Sequence, residues 1–397
     1  MKKKIAFVVQ RYGLEVNGGA ELHCRQLAEH MAEQYEVEII TTKAIDYITW
    51  KNEYDMDEET IHGLLVRRFP VEKERNIKKF NLLSEKVLSG KGSEKENLRW
   101  MEEQGPYSTQ LVHYVEAHQG DYAAILFFTY LYYTTFTALP KVKEKAILIP
   151  TAHDEPPIYL PIFEDFFRSP KGIFYNTEQE KAFVEEKFQN DFIWNNDGQG
   201  GVGVECPADV DADRFRKKRG IENYLIYIGR IDESKGCGAL FQYFSEYKKR
   251  NPGNLELVLM GKPVMEVPQR EDLHSLGFVD DSEKFDGIAG AKALILPSKY
   301  ESLSMVVLEA MNLGIPVIVN GACEVLKGHC LRSDGGFYYQ NYFEFEGEIN
   351  YLLQHEDIRR QMGENGITYV KENYQWESIC RRLGELIEQV AEEGQLA

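Results

Sequence analysis

Short apolar runs separated by helical patterns, in two successive cycles, constrain this chain more than any other feature. Residues 5–9 (IAFVV) are a continuous run of β-formers. Gly18 and Gly19 follow, then Ala20, Leu22, Leu27 and Met31 at helical spacing, then a second apolar run at 37–41. Strand, glycine-rich turn, helix, strand is the first unit of a parallel sheet, whose strands are buried on both faces and therefore do not alternate. Runs at 123–128, 146–149 and 172–175 continue that cycle. The second has strands at 224–228, 255–260, 293–296 and 317–319, with helices at 239–249 and 304–312, and repeats the architecture without repeating the sequence.

A chain of 397 residues outgrows a single core. The expectation is α/β, two Rossmann-like doubly wound domains facing a cleft. The first covers 1–204, a linker 205–220, the second 221–374, and a final helix at 375–397 packs back on the first domain. The linker reading rests on Cys206-Pro207 and the acidic-then-basic run at 209–219. Open α/β sheets bind ligands at the carboxyl ends of their strands, which is where site residues are to be sought.

Composition narrows the partners. Hydrophobic residues at 43% and charged residues at 28% are those of a soluble globular protein. A formal net charge of -18 argues against nucleic acid, which requires clustered excess Lys and Arg, and leaves room for a small anionic ligand at a local patch. Six cysteines without a CxxC pair fit a reducing compartment. The opening MKKKIAFVV has too short an apolar run for a secretory signal, and no stretch reaches the ~18–20 apolar residues of a membrane span, so a cytoplasmic location is expected. Within 51–120, Arg67, Arg68, Lys73, Arg75, Lys78 and Lys79 read either as solvated helices and a loop or as an acceptor- or membrane-facing patch.

The most informative stretch is LPSKYESLSMVVLEAMNLGIPVIV, from Leu296 to Val319. A strand ends at Pro297-Ser298, a turn carries Glu301, and a helix runs from Ser304 to a stop at Gly314, with Pro316 beyond. Met305, Val306, Val307, Leu308, Ala310, Met311 and Leu313 point nearly every way, which predicts a buried helix. Glu309 inside it needs a donor or a ligand hydroxyl, because an unpaired buried carboxylate costs several kcal/mol in order of magnitude. The amides of Ser302, Leu303 and Ser304 lie between Glu301 and Glu309, and a helix N-terminus with unpaired amides attracts anions. Read blandly, Glu301 complements the helix dipole and Glu309 is a surface residue.

The second stretch is YIGRIDESKG, where Arg230 and Lys235 follow the first strand of the second domain. Two cations there can neutralise a diphosphate without a metal; in isolation they could equally be solvated loop residues. Asp209, Asp211 and Asp213 have the spacing of a metal site, but they fall in the linker and the cation pair already supplies positive charge. No metal and no cofactor are expected.

The pattern of Glu301 and Glu309 within ESLSMVVLEAM, preceded by GRIDESKG and LVLMGK, resembles family four of the retaining glycosyltransferases, which includes sucrose, mannosyl and polysaccharide synthases. Looser matches are GGAE at 18–21, TAHD at 151–154, NTEQEKAF at 176–183, the segment 277–298 and YQWESI at 374–379. The resemblance implies a GT-B type fold and transfer of a hexosyl unit from a UDP- or GDP-sugar to a glycan or lipid-linked acceptor, as in cell-surface polysaccharide synthesis. It implies that Arg230 and Lys235 bind the diphosphate, that Glu301 contacts the transferred sugar, and that the amides of Ser302, Leu303 and Ser304 hold sugar hydroxyls and phosphate. Glu309 would hold the ribose, with Lys262 and Val279 beside the nucleotide. Gly18 and Gly19 would admit phosphate or acceptor to the first-domain backbone, and His153 would face the sugar, although a lone histidine is more often structural.

Serine at 302 and 304 departs from the glycine common in the family, as do Glu205 and Cys206 from its usual aspartate. Peripheral contact with a lipid-linked acceptor at the inner face of the membrane stays open through the 67–79 patch. Competing readings are a sugar-nucleotide epimerase of the same architecture, which needs no acceptor, and a non-catalytic sugar-nucleotide-binding subunit.

Overall fold

A computed structural model describes residues 2–16 and 18–393. The chain divides into two compact units, one of residues 2–202 with 376–393 and one of 203–375.

The first unit is built on an eight-stranded sheet ordered β3-β4-β2-β1-β5-β6-β7-β8. Its strands are β1 (Lys4–Val8), β2 (Glu36–Thr42), β3 (Glu58–Ile61), β4 (Leu64–Phe69), β5 (Ala124–Phe128), β6 (Ala146–Ile149), β7 (Gly172–Ile173) and β8 (Trp194–Asn195). All pairings are parallel except β3 with β4. β5 and β6 are buried at every position, as strands covered on both faces must be. The terminal helix Trp376–Glu393 belongs to this unit. Trp376 stacks on His30 with centroids 4.0 Å apart, and a Cβ on Gly172 would lie 3.2 Å from Leu386, so β7 and this helix are in close contact.

Residues 51–120 depart from the expected helices and loop by also supplying the hairpin β3–β4, turned at His62 and Gly63, both with positive φ (48° and 83°). Four of the six cations there are engaged within the fold. Arg67 pairs with Glu38 at 2.7 Å, Arg68 is buried against Glu59 and the Tyr12 carbonyl, Lys73 pairs with Glu103, and Arg75 donates to the carbonyls of Tyr47 and Glu103. Burial pulls Arg75 down to about 10. No helix among the described residues is long and apolar enough to cross a membrane.

The second unit has an all-parallel six-stranded sheet ordered β11-β10-β9-β12-β13-β14. The strands are β9 (Tyr224–Ile228), β10 (Glu256–Met260), β11 (Leu273–Ser275), β12 (Ala293–Leu296), β13 (Val317–Asn320) and β14 (Gly336–Tyr339). Counted from its own first strand the order is 3-2-1-4-5-6, the Rossmann order; the first unit has the same start once the β3 hairpin strand is set aside. Asp209, Asp211 and Asp213 are used locally. Asp211 caps the helix Ala212–Arg219 by accepting from the amide of Asp213 at 2.9 Å, Asp213 pairs with Arg216, and Asp209 with Arg214.

Candidate functional site

In the second unit the strand order reverses between β9 and β12, and the carboxyl ends flanking that reversal form the crevice where such sheets bind ligands. The chain is tight there. A Cβ on Gly261, after β10, would lie 1.9 Å from the Gly229 carbonyl, after β9; one on Gly236 would lie 2.5 Å from the Pro297 carbonyl, after β12. Only glycine permits these backbone approaches, and Gly261 also has φ 145°. Asp232 organises the loop after β9. Its Oδ1 accepts from the Ser234 hydroxyl (2.6 Å) and the Lys235 amide (2.9 Å), and its Oδ2 from the Arg230 guanidinium. Burial opposes the charge on Asp232, but the hydrogen bonds from Ser234 and Arg230 outweigh it and hold the carboxyl below its usual range.

Lys235 extends from that loop to the one after β12, with Nζ 2.7 Å from Glu301 Oε1. The two stretches singled out in the sequence thus meet. Beyond Glu301, Ser304 stands before the helix Met305–Asn312 in the left-handed region, φ 67°, where a side chain is strained and glycine is not. Among the described residues, the amides of Ser302, Leu303 and Ser304 have no acceptor. The hydroxyls of Ser298 and Ser304 are also buried without a partner. A cation, a carboxylate and a row of unpaired donors therefore converge in one place, a composition suited to an anion carrying hydroxyls.

No residue of the helix Met305–Asn312 is exposed, as its apolar sequence predicts. Glu309 meets its donor within the protein: Lys284 Nζ, from the helix Asp281–Gly290, lies 3.0 Å from Glu309 Oε1 and 3.3 Å from Asp281 Oδ1. Burial raises the Glu309 carboxyl despite this lysine. Lys284 is raised too, since the fields of Glu309 and Asp281 overcome its burial. Lys262 is exposed just after β10, its carbonyl accepting from the Ile231 amide at 3.0 Å. Val279 is half-buried beside Phe278, which is 74% exposed.

In the first unit Gly18, Gly19 and His153 lie past the carboxyl ends of β1 and β6. A Cβ on Gly18 would lie 2.0 Å from Glu21, whereas Gly19 faces open space. Glu21 Oε1 accepts from Gln10 and Arg11 at 3.0 Å each. His153 Nε2 is 3.4 Å from Glu155 Oε2, and the chain reaches it through Thr151, strained at φ 50°. The buried Glu180 holds this loop by accepting from the amides of Ala152 (2.5 Å) and Asn176 (2.6 Å), and burial pushes its carboxyl up to about 8.

Sequence reasoning missed Asp232, Lys284, Glu180 and His329, a buried residue whose Nε2 lies 2.8 Å from the Leu303 carbonyl. Asp232 lies inside the stretch already singled out, and its spacing from Lys235, that of an Asp cap three residues before an amide, was a usable signal. Lys284 and Glu180 each have one near partner, Asp281 and the Asn176 amide, but Glu309 and the Ala152 amide lie 25 and 28 residues from them, and the Leu303 carbonyl lies 26 residues from His329, so the sequence around them gives no signal of these contacts.

Residues 209–369 match the family model of glycosyl transferases group 1, a span that holds Arg230, Lys235, Glu301 and Glu309. Among curated proteins, an uncharacterized glycosyltransferase of Methanocaldococcus jannaschii is 23% identical over 95% of this chain and 96% of its own length. An MMP alpha-(1->4)-mannosyltransferase of Mycolicibacterium hassiacum is 24% identical over 44% of this chain and 45% of its own. Sucrose-phosphate synthase from Thermosynechococcus elongatus has a similar fold, with a TM-score of 0.71 at 16% identity over 98% of this chain and 99% of that one. HepE of Anabaena, solved with UDP and glucose, gives 0.70 at 16% identity over 98% and 100%. The fold is thus that of GT-B glycosyltransferases, and the sequence matches support glycosyl transfer as the class of activity.

Proposed function

We propose that this chain is a retaining, metal-independent glycosyltransferase that moves a hexosyl unit from a UDP- or GDP-sugar to a glycan or lipid-linked acceptor. The observation that carries the reading is the Lys235–Glu301 pair set beside the unpaired amides of residues 302–304 at the β9/β12 reversal. Lys235, Arg230 and those amides take the donor diphosphate, and Glu301 takes hydroxyls of the transferred sugar. As the glycosidic bond breaks, negative charge grows on the departing phosphate, and donors already in place stabilise it without reorganisation. The cations and amides supply the positive charge that a metal supplies elsewhere. Glu309, held by Lys284, takes the ribose; Lys262 and the Val279 segment lie beside the nucleotide. Gly18 and Gly19 admit phosphate or acceptor to the backbone of the first unit, and His153 faces the sugar.

That HepE was solved with UDP and glucose supports a nucleotide-sugar donor, and O-antigen and amylovoran enzymes among the relatives support an acceptor of the polysaccharide class. The test is release of nucleoside diphosphate from UDP- or GDP-hexoses with and without glycan acceptors, with the anomeric configuration of the product read by NMR. Acceptor-dependent release with retention is expected. Conversion of the donor sugar without nucleotide release would make the protein an epimerase and overturn the reading.

A further inference from the structure

His329, in the helix Glu324–Ser333, is completely buried, yet both ring nitrogens are engaged. Nε2 lies 2.8 Å from the Leu303 carbonyl and Nδ1 3.0 Å from the Tyr369 hydroxyl, in the helix Glu356–Asn373. A carbonyl only accepts, so Nε2 carries the proton and Nδ1 accepts from Tyr369. The Tyr369 oxygen accepts in turn from Arg332 Nε (3.2 Å) and stands 3.3 Å from the Tyr374 hydroxyl. The network orients one neutral tautomer toward one carbonyl.

That carbonyl belongs to the middle residue of the loop whose three amides are unpaired, and the next residue is the strained Ser304. A strained, unpaired segment keeps its shape only where its surroundings over-determine it. We infer that His329 is a positioning residue for the 301–304 loop, acting through the Leu303 carbonyl to keep the amides of residues 302–304 set for the donor. The inference rests on the proposed donor site. A neutral ring suits the role, since burial lowers this histidine to about 4 and leaves it uncharged at ordinary pH.

The experiment compares His329→Leu and His329→Gln in the full chain. UDP and GDP binding is followed by calorimetry, and backbone amide exchange by mass spectrometry. Leucine removes the donor; the glutamine carboxamide restores an N–H within reach of Leu303. The expected result is roughly tenfold or greater loss of affinity in the leucine variant with faster exchange confined to 301–306, and recovery of most of both in the glutamine variant. Unchanged exchange and affinity in the leucine variant would overturn the inference. So would equal losses in both variants with exchange raised throughout the second unit, since that is plain destabilisation. If the leucine variant does not fold, Tyr369→Phe decides: it frees Nδ1, and faster exchange at 301–306 is expected, unchanged exchange being the overturning result. A wild-type protein that binds neither nucleotide would remove the donor reading, while the exchange measurement still decides whether His329 holds the loop.

Discussion

The ammonium of Lys235 lies 2.7 Å from Glu301 Oε1, joining the loop after β9 to the loop after β12 across 66 residues of chain. The side chains are 32% and 15% exposed, so solvent screens the pair and its share of stability is small, about 0–1 kcal/mol. In the proposed reading its importance lies in the sugar-nucleotide donor. Lys235→Ala and Glu301→Ala are each expected to lower turnover by about 100-fold or more while moving the melting temperature little. Steady-state kinetics and thermal unfolding on the same preparations check both halves, and unchanged turnover would remove these residues from the site.

Lys284 and Glu309 are a different case, at 17% and 12% exposure. Removing one member of a buried pair leaves the other charged and desolvated. Lys284→Met is therefore expected to destabilise by about 3 kcal/mol, and Glu309→Gln in the same chain to recover much of that. Denaturant unfolding of the single and double variants reads the coupling. Additive losses would show that the contact is not energetically formed.

The two buried histidines should each cost the fold stability in acid, while Glu180, raised to about 8, acts in the opposite sense. Burial lowers His23 and His329 from 6.5 to about 4, so between those values the unfolded chain binds protons that the folded chain refuses. The stability they contribute is fully present above pH 6.5 and is lost as pH falls toward 4, roughly 3 kcal/mol for each residue at full titration. His329→Gln should flatten the pH dependence of the melting temperature between pH 6.5 and 4 relative to wild type. A parallel curve would mean that His329 is not buried as neutral imidazole.

Ser304 adopts φ 67° with its hydroxyl buried and unpartnered. Ser304→Gly relieves the left-handed strain and removes the orphan group, so a gain of about 1 kcal/mol is expected. Ser304→Val should destabilise, since a β-branched residue tolerates this region least. Melting temperatures ordered Gly above Ser above Val verify the backbone conformation; any other order contradicts it.

Much of this was legible in the sequence, for identifiable reasons. The runs at 224–228 and 293–296 coincide with β9 and β12, because a strand buried on both faces writes itself as an unbroken apolar stretch. The helix Met305–Asn312 was equally readable from its apolar residues and the Gly314 stop. The β3–β4 hairpin was not. β4 alternates buried and half-buried residues, two of them arginines, so its pattern resembles a charged surface. Arg67 and Arg68 read as a basic patch because Glu38 and Glu59, which neutralise them, lie in β2 and β3 and nothing local indicates the pairing.

By itself the sequence determined the two α/β cycles, the position of Arg230, Lys235, Glu301 and Glu309 at strand ends and in an apolar helix, and the demand of Glu309 for a partner. These follow from periodicity and desolvation, which act along a few residues of chain. Only the tertiary structure decided that Lys235 answers Glu301, that Lys284 answers Glu309, and that His329 meets the Leu303 carbonyl from 26 residues away. Hydrogen bonds and ion pairs act over about 3 Å, and which side chains come that close is set by how strands and helices pack.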